Sequence, residues 1–426
     1  MGLIPKLGAQ YEISYGGRRL TTSQAIPDLS PEYRANLLGT LSLPLLKGAW
    51  WGEPWALVKQ TGVLAEAADE AFRTSLMELT KATRDAYWGV SAAGERLRVA
   101  HKSLEARQGL LDQTEAQYEV GVVSRVEVTE AEAGVAEREF NVIVTENGYR
   151  EIQDLLIKLV LGPNLTPDSR LEIRLTDSPE EIIDYAVDPE EANRKALTNR
   201  PEVAAARNEV ERQEFELKFR KNSRLPQLDL KFTYGYQGLA GSTNPADPIF
   251  CPGGAPPPCS RPPVVGVGST FSSAHDGFFN NNGASQWSGG AVVTIPIGNV
   301  SGRAGLSKAR LELRRAHTEV RRLELDIVVE VRDAIRTLAS SLEGIEAAER
   351  RRAAAAEQLR AESIRLEYGE STPFDVLLRE EVLVDAESQK ILALQAYHNS
   401  VTALDRAQGT ILRSANIAVE EAAPLR

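Results

Sequence analysis
The chain repeats itself, and nothing else in it constrains the fold as strongly. The run Pro5–Tyr15 (PKLGAQYEISY) has the alternating pattern of Pro226–Tyr236 (PQLDLKFTYGY), and Thr40–Pro44 has that of Val292–Pro296. Further on, Tyr118-x-x-Gly121-x-x-Ser124-x-x-Glu127 recurs as Leu366-x-x-Gly369-x-x-Thr372-x-x-Asp375, a shift of 248 residues. Both halves run strand, strand, very long helix, glycine turn, returning helix. A tandem unit of this kind points to a tubular, mainly α architecture with a β portion, not to an enzyme cleft. The strand prolines Pro44 and Pro296 are 252 residues apart. The halves therefore differ by four residues, about one helical turn, between strand and turn.

Four segments alternate with period two, as half-buried strands do. Leu7, Ala9, Tyr11, Ile13 and Tyr15 share one face against Lys6, Gln10, Glu12 and Ser14. Tyr33, Ala35, Leu37, Leu41 and Leu43 form the second apolar set, and Leu228, Leu230, Phe232, Tyr234 and Tyr236 the third. Trp287, Ala291, Val293 and Ile295 form the fourth. Each segment runs roughly 10–12 residues, the length a tilted strand needs to cross a bilayer, and the aromatic residues near the ends suit an interfacial girdle. A short loop, about 16–31, joins the first pair. The second pair is joined by 238–285, rich in Gly, Pro, Ser and Asn. A loop of that length is unusual inside a compact domain and ordinary on the outward side of a membrane barrel. Within it, Cys251 and Cys259 enclose a Pro/Gly stretch that suits a local disulfide in an oxidising compartment. Two free thiols are the alternative.

The chain has 22 prolines, yet none between Pro54 and Pro163, Pro296 and Pro373, or Pro373 and Pro424. Residues 55–120 and 301–368 read as single helices rich in Ala, Leu, Glu and Arg, each about 100 Å long. Gly121 and Gly369 end them. Ser124 and Thr372 cap returning helices over about 125–161 and 373–412. Between the halves, 170–176 reads as a short strand, and Asp188 and Asn199-Arg-Pro-Glu202 each open a helix, the second reaching about Asn222. The resulting segments are a first β-hairpin (1–48), a first helical hairpin (49–162), a mixed segment (163–223), a second β-hairpin (224–298), a second helical hairpin (299–413) and a tail (414–426).

Net charge is −11 with no strongly basic domain, which argues against a nucleic-acid partner. No run of 18 apolar residues exists, so no transmembrane helix is expected, which leaves a β-barrel open. His101, His275, His317 and His398 lack paired metal spacing. Gly266-x-Gly268 precedes no phosphate-loop lysine. Arg314-Arg315 and Arg350–Arg352 read as solvated helix faces. No cofactor, metal site or catalytic constellation is therefore expected. Trp50, Trp51 and Trp55, where strand meets helix, suit either an interfacial belt or core packing. Two helical segments precede Pro226 but only four residues precede Pro5, and Met1–Lys6 is no signal peptide. The expectation is a chain that starts part-way into its first repeat, with a leading helix and signal peptide upstream; a natural short form is the alternative.

The order of elements, the two turn motifs, Asn199-Arg-Pro-Glu-Val203, Arg224–Leu230 and Val293–Ile297 together resemble the TolC-like outer-membrane efflux protein family over nearly the whole chain. The resemblance implies a homotrimer whose protomers each give four strands to one twelve-stranded β-barrel in outer-membrane lipid. A periplasmic α-helical tunnel would continue the barrel. Open sheet edges are not tolerated in lipid, so a four-stranded unit needs partners. The resemblance further implies a non-enzymatic exit duct in a Gram-negative tripartite efflux or type I secretion system. Its partners would be a periplasmic adaptor (membrane fusion) protein and an inner-membrane pump of RND or ABC type. Tyr118, Val120, Gly121 and Val122 match the first adaptor-docking turn, and Tyr368, Gly369 and Glu370 the second. Glu127 and Asp375 match acidic rings at the periplasmic aperture. Read without the resemblance, both are first-turn acids that meet the helix macrodipole. The chain departs from the family at Glu370, where an apolar or small residue is usual, at Leu366, which replaces the turn aromatic, and at Leu378, the next acidic position inward. Two rivals are a barrel-anchored surface adhesin, which does not explain why the helices duplicate with their own strands, and a soluble coiled-coil scaffold, which has no use for the strands.

Overall fold
The computed structural model describes residues 1–23, 29–164, 166, 171, 173–182, 187–243, 268–276, 278 and 284–419. It divides into two compact units, Met1–Glu66 with Asn208–Thr318, and Ala67–Arg207 with Glu319–Arg426.

The first unit is built on an antiparallel sheet whose strands lie in chain order: β1 (Gly2–Ile4), β2 (Ala9–Leu20), β3 (Leu29–Pro44), β4 (Gln227–Thr243) and β5 (Ala284–Thr294). Its register lines up the alternating sets. Tyr11 opposes Leu41, which opposes Phe232; Ile13, Gly39, Tyr234 and Trp287 form the next row, and Tyr15, Leu37 and Tyr236 the one after. Directly opposed residues share a face, so the apolar sets of four strands merge into one surface. The other face carries Gln10, Ser42 and Lys231, then Glu12, Thr40, Thr233 and Ser288, then Gly16, Asn36 and Gln237. The apolar surface is open: Ile13 is 72% and Trp287 73% exposed, and Tyr11, Tyr15, Leu41, Phe232 and Tyr234 are exposed with them.

The strand limits differ from the sequence reading. Pro5 does not begin a strand; residues 5–8 make a tight turn that folds β1 back on β2. The Gly8 N–H bonds the Ile4 carbonyl at 2.9 Å. Gly8 sits at φ +68°, and a Cβ there would fall 2.3 Å from the Gly48 carbonyl oxygen. β2 runs on to Leu20 and β3 starts at Leu29, so the first loop is shorter than 16–31. β4 continues to Thr243, past the expected start of the long loop. The loop also contains a helix, α5 (Phe271–Asp276), whose Ala274 packs with Phe278, Ala35 and Ala240. A Cβ on Gly17 would strike the Phe271 ring, and one on Gly238 the Ala274 carbonyl oxygen. Gly17, Ala35 and Gly238 form one row, two residues on from the Tyr15 row, so α5 lies on the apolar face. The Cys251–Cys259 pairing lies outside the described residues.

The long helices form as the proline-free runs require: α1 is Glu53–Glu119 and α6 is Val300–Glu367. They are 67 and 68 residues long, so the extra length of the first half is not a helical turn. Counted from the two strand prolines, it lies in the β3–α1 junction, 45–52, against 297–299 in the second half. Asn222 ties the longer junction. Its Oδ1 accepts from the Gly48 N–H at 2.7 Å, and its Nδ2 donates to the Leu46 and Ala49 carbonyls at 3.2 and 3.0 Å. Trp51 stacks on Phe215, whereas Trp50 is exposed.

The second unit holds most of α1 and α6, with α2 (Arg125–Leu161), α3 (Pro189–Asn199), the start of α4 (Pro201–Ser223) and α7 (Pro373–Ala407). Residues 89–93 of α1 are buried on every side. Small side chains allow this: a Cβ on Gly89 would already sit 3.4 Å from Ile152 of α2. Ile327 and Val331 pack against Ala192, Ala196, Val203 and Ala407, and Leu338 and Ile345 against Leu394, Tyr397 and Leu404. Each large aliphatic side chain buried here contributes about 1.5–3 kcal/mol. Arg200 of the Asn-Arg-Pro-Glu motif is the centre of an ion cluster. It donates to Glu330 at 2.6 Å and Glu202 at 3.1 Å, while Arg406 reaches Glu330 at 2.8 Å and Glu202 at 3.0 Å. Burial disfavours charge on Arg200 and Glu202. Burial is the largest single effect on each, but the hydrogen bonds and charges of Glu202 and Glu330 together raise the pKa of Arg200, and those of Arg200 with the charge of Arg406 lower that of Glu202. The expected helix 373–412 breaks after Ala407 and resumes as α8 (Ile411–Ser414), because Gly409 takes φ +72° against Asn199. Residues 173–176 form no strand, contrary to the sequence reading; 170 and 172 lie outside the described residues.

Candidate functional site
α1 and α6 end in the same hydrogen-bonded turn. The Gly121 N–H bonds the Tyr118 carbonyl and the Val122 N–H that of Gln117, both at 2.9 Å. In the second half, Gly369 bonds Leu366 at 3.0 Å and Glu370 bonds Arg365 at 2.8 Å. These are Schellman pairs, which require a left-handed residue at the first position past the helix. Gly121 and Gly369 supply it at φ +78° and +71°. Neither has an atom within 4 Å of its Cβ position, so backbone conformation and not crowding selects glycine.

Three residues later the returning helices begin. The Ser124 N–H donates to the Glu127 carboxylate. The Asp375 N–H donates to Thr372 Oγ1 at 3.3 Å, while the Thr372 N–H and hydroxyl donate to Asp375 Oδ2 at 3.4 and 2.6 Å. Both acids are thus the third residues of capping boxes. The Thr372 hydroxyl and N–H hold the Asp375 carboxyl below the usual carboxylate range. The repeated motif is therefore explained locally: glycine stops one helix, Ser or Thr starts the next, and the acid closes the box. The starts of α2 and α7 stand side by side, since Ser124, Val126 and Glu127 share a 320 Å³ cavity with Thr372, Phe374 and Leu377.

The turns present apolar surface. Val120 is 75% and Tyr368 79% exposed, with Val122, Val126 and Phe374 exposed beside them. Tyr118 lies 6.0 Å under the Arg125 guanidinium. The two turns are not chemically equal. The second is braced by Arg365, which donates to the Glu370 carbonyl at 3.3 Å, and by Ser371, whose hydroxyl donates to buried Glu362 at 2.5 Å. At the 248-residue shift the first turn carries Gln117, Val123 and Thr114 instead.

Behind the turns lies a group that the sequence reading missed. Buried Arg107 of α1 meets buried Glu380 of α7 at 2.9 Å, and Ser103 donates to the other Glu380 oxygen at 3.0 Å. Burial lowers the Arg107 pKa; Glu380 opposes this, and buried Arg138 of α2 adds to it. Gly134 makes room for the guanidinium, since a Cβ there would lie 3.3 Å from it. No spacing announces this group, because its partners come from distant parts of the chain. Further along α7, His398 stacks on Trp88 at 3.6 Å and bonds the Pro179 carbonyl at 3.0 Å; burial pushes its pKa down. Lys390 bridges Glu180 at 2.8 Å and Glu349 at 3.1 Å. Glu349 is held at about 2, first by its hydrogen bond from Arg352 and also by Lys390. Among the described residues there is no group of three or more His, Cys, Asp or Glu able to hold a metal ion, and no helix long and apolar enough to cross a membrane.

The family model described as outer membrane efflux protein matches residues 2–160 and 193–410. In fold, the chain is similar to the outer-membrane channel OprN, with a TM-score of 0.71 at 18% identity, covering 94% of this chain and 81% of that one. It is similar to VceC from Vibrio cholerae, with a TM-score of 0.71 at 17% identity over 94% and 87% of the two chains. The same holds for the CmeC outer membrane channel of Campylobacter jejuni, with a TM-score of 0.71 at 14% identity over 95% and 78%. No curated protein matches the chain in sequence.

Proposed function
The chain belongs to the outer membrane efflux protein family, and from that premise we propose that it is a passive exit duct in the outer membrane of a Gram-negative bacterium. Three copies close their sheets into a twelve-stranded barrel, and the paired helices continue it into the periplasm. The duct serves a tripartite efflux or type I secretion system. An adaptor docks on the turns at Gly121 and Gly369 and opens them, and an inner-membrane pump of RND or ABC type supplies the energy. The chain itself does no chemistry.

The observation that carries this reading is the sheet. Its apolar residues are aligned in register over four strands and left open away from α5, and β5 is exposed at every position, with no strand beyond it among the described residues. Free edges and exposed apolar surface are satisfied together when neighbouring protomers complete the hydrogen bonding and lipid covers the outer face. A soluble scaffold would leave both unsatisfied. The apolar side chains around Val120, Val122 and Tyr368 support the docking role of the turns. Extraction from outer-membrane fractions with detergent as a heat-modifiable trimer is the expected behaviour; a monomer in the soluble fraction would refute it.

Glu127 and Asp375 serve as aperture acids in this reading without giving up their capping bonds, since a capping carboxylate keeps its charge. Three copies of each place negative rings in a narrow entrance and favour cations. Glu127→Gln with Asp375→Asn keeps an acceptor for each cap and removes the charge. The double variant should lose cation preference in bilayer recordings; unchanged selectivity would refute the ring.

A further inference from the structure
Opposite the apolar face, the sheet ends in an uncommon pairing. Arg18 of β2 stands directly across from Arg34 of β3, in a row continued by Leu239 of β4. Like charges directly opposed across strands are destabilising, so this row does not serve the stability of the sheet. α5 settles which side the arginines occupy. It packs on the row Gly17, Ala35 and Gly238 and on the row of Tyr33 and Ala240. The intervening row of Arg18 and Arg34 is left on the polar face, with Asn36, Gln237, Thr40 and Thr233. Both arginines are exposed. Among the described residues, Arg34 has Glu32 beside it on the same face, and no carboxylate pairs with Arg18. Among the described residues, each chain therefore brings two guanidiniums and one carboxylate to the polar face at this end of the sheet.

We infer that Arg18 and Arg34 form a cationic ring at the mouth of the barrel that draws anions through it. The inference rests on the duct reading above, in which the apolar face meets lipid and the polar face lines the lumen. Three copies set six guanidiniums against three Glu32 carboxylates, a net positive collar in a confined aqueous passage. Guanidinium is always charged and binds oxyanions in bidentate fashion, so the favoured solutes are inorganic and organic anions such as chloride, sulfate and carboxylates. The field fades beyond about 10 Å at 0.1 M salt, so its effect is largest in dilute electrolyte.

The test is the reversal potential of single channels under a KCl gradient at low salt, with potassium sulfate as a second probe. Arg18→Gln/Arg34→Gln should lower the anion-to-cation permeability ratio by roughly twofold or more, while Arg18→Lys/Arg34→Lys should keep that ratio near its wild-type value. Arg18→Gln alone, at an exposed position, should shift the ratio in the same direction and serves if the double variant does not assemble. Conducting variant channels with an unchanged ratio would overturn the ring and leave the duct standing. A wild-type protein that forms no channels would overturn the duct reading, and the ring with it.

Discussion
Gly121 and Gly369 show what a single residue decides here. Alanine at either position must adopt a left-handed conformation and should cost about 1–2 kcal/mol, read as a lower thermal midpoint. Gly109 and Gly344 lie within helices with nothing within 4 Å of their Cβ positions. Alanine there should stabilise by about 0.5–1 kcal/mol; equal effects at all four sites would contradict the turn argument. The Arg107–Glu380 pair makes a different prediction. Glu380→Ala leaves a buried guanidinium beside Arg138 and should cost about 3–5 kcal/mol. Arg107→Met/Glu380→Leu should recover much of that loss, and a double variant no better than the single would argue that the pair is not closed as described. His398 gives a pH dependence. Burial lowers its folded pKa below the free value of about 6.5, so its contribution to stability is present above that pH and is lost as pH falls through the folded pKa. Unfolding midpoints of the wild type should drop on acidification through this range, and His398→Phe should flatten that part of the profile.

At the scale of the element, the sheet separates its two faces sharply. Phe232→Arg puts a charge on the apolar face and should cost about 2–4 kcal/mol if that face meets lipid. Thr233→Arg, one residue on, points to the polar face and should assemble normally. Refolding yields into detergent that are equal for the two would contradict the assignment. Much at this scale was legible in the sequence. Period-two alternation gave the faces of all four long strands, and proline gaps with Gly121, Gly369, Ser124 and Thr372 gave the helix limits within one or two residues, except the end of α7, which stops five residues before the expected 412. The turn at residues 5–8 was misread because Leu7 continues the alternation of β2 while Gly8 breaks the chain direction through its φ. α5 was invisible because Phe271–Asp276 is too short to show a helical period, and its packing depends on small residues at Gly17 and Gly238. The acid of each capping box carried two readings from the outset, an aperture ring and a first-turn charge, and the structure adds the capping bond itself at both turns. The Arg200–Glu330 and Arg107–Glu380 pairs were not legible, since pairing over more than a hundred residues leaves no trace in local spacing.

At the scale of the whole molecule, the duplication explains why both halves carry the same stop-and-start turn, and the differences show where the halves have separate tasks. The first half spends its extra residues in a junction tied by Asn222, and the second braces its turn through Glu362, Arg365 and Ser371. The apolar face of the sheet and, among the described residues, the unpaired edge of β5 are what the proposed trimeric duct would cover. The most direct test of the duct is to insert purified, folded protein into planar lipid bilayers. The account predicts discrete, long-lived conductance steps that come only from a trimeric fraction. Bilayers that stay silent with that fraction, or conductance that follows the monomer, would contradict it.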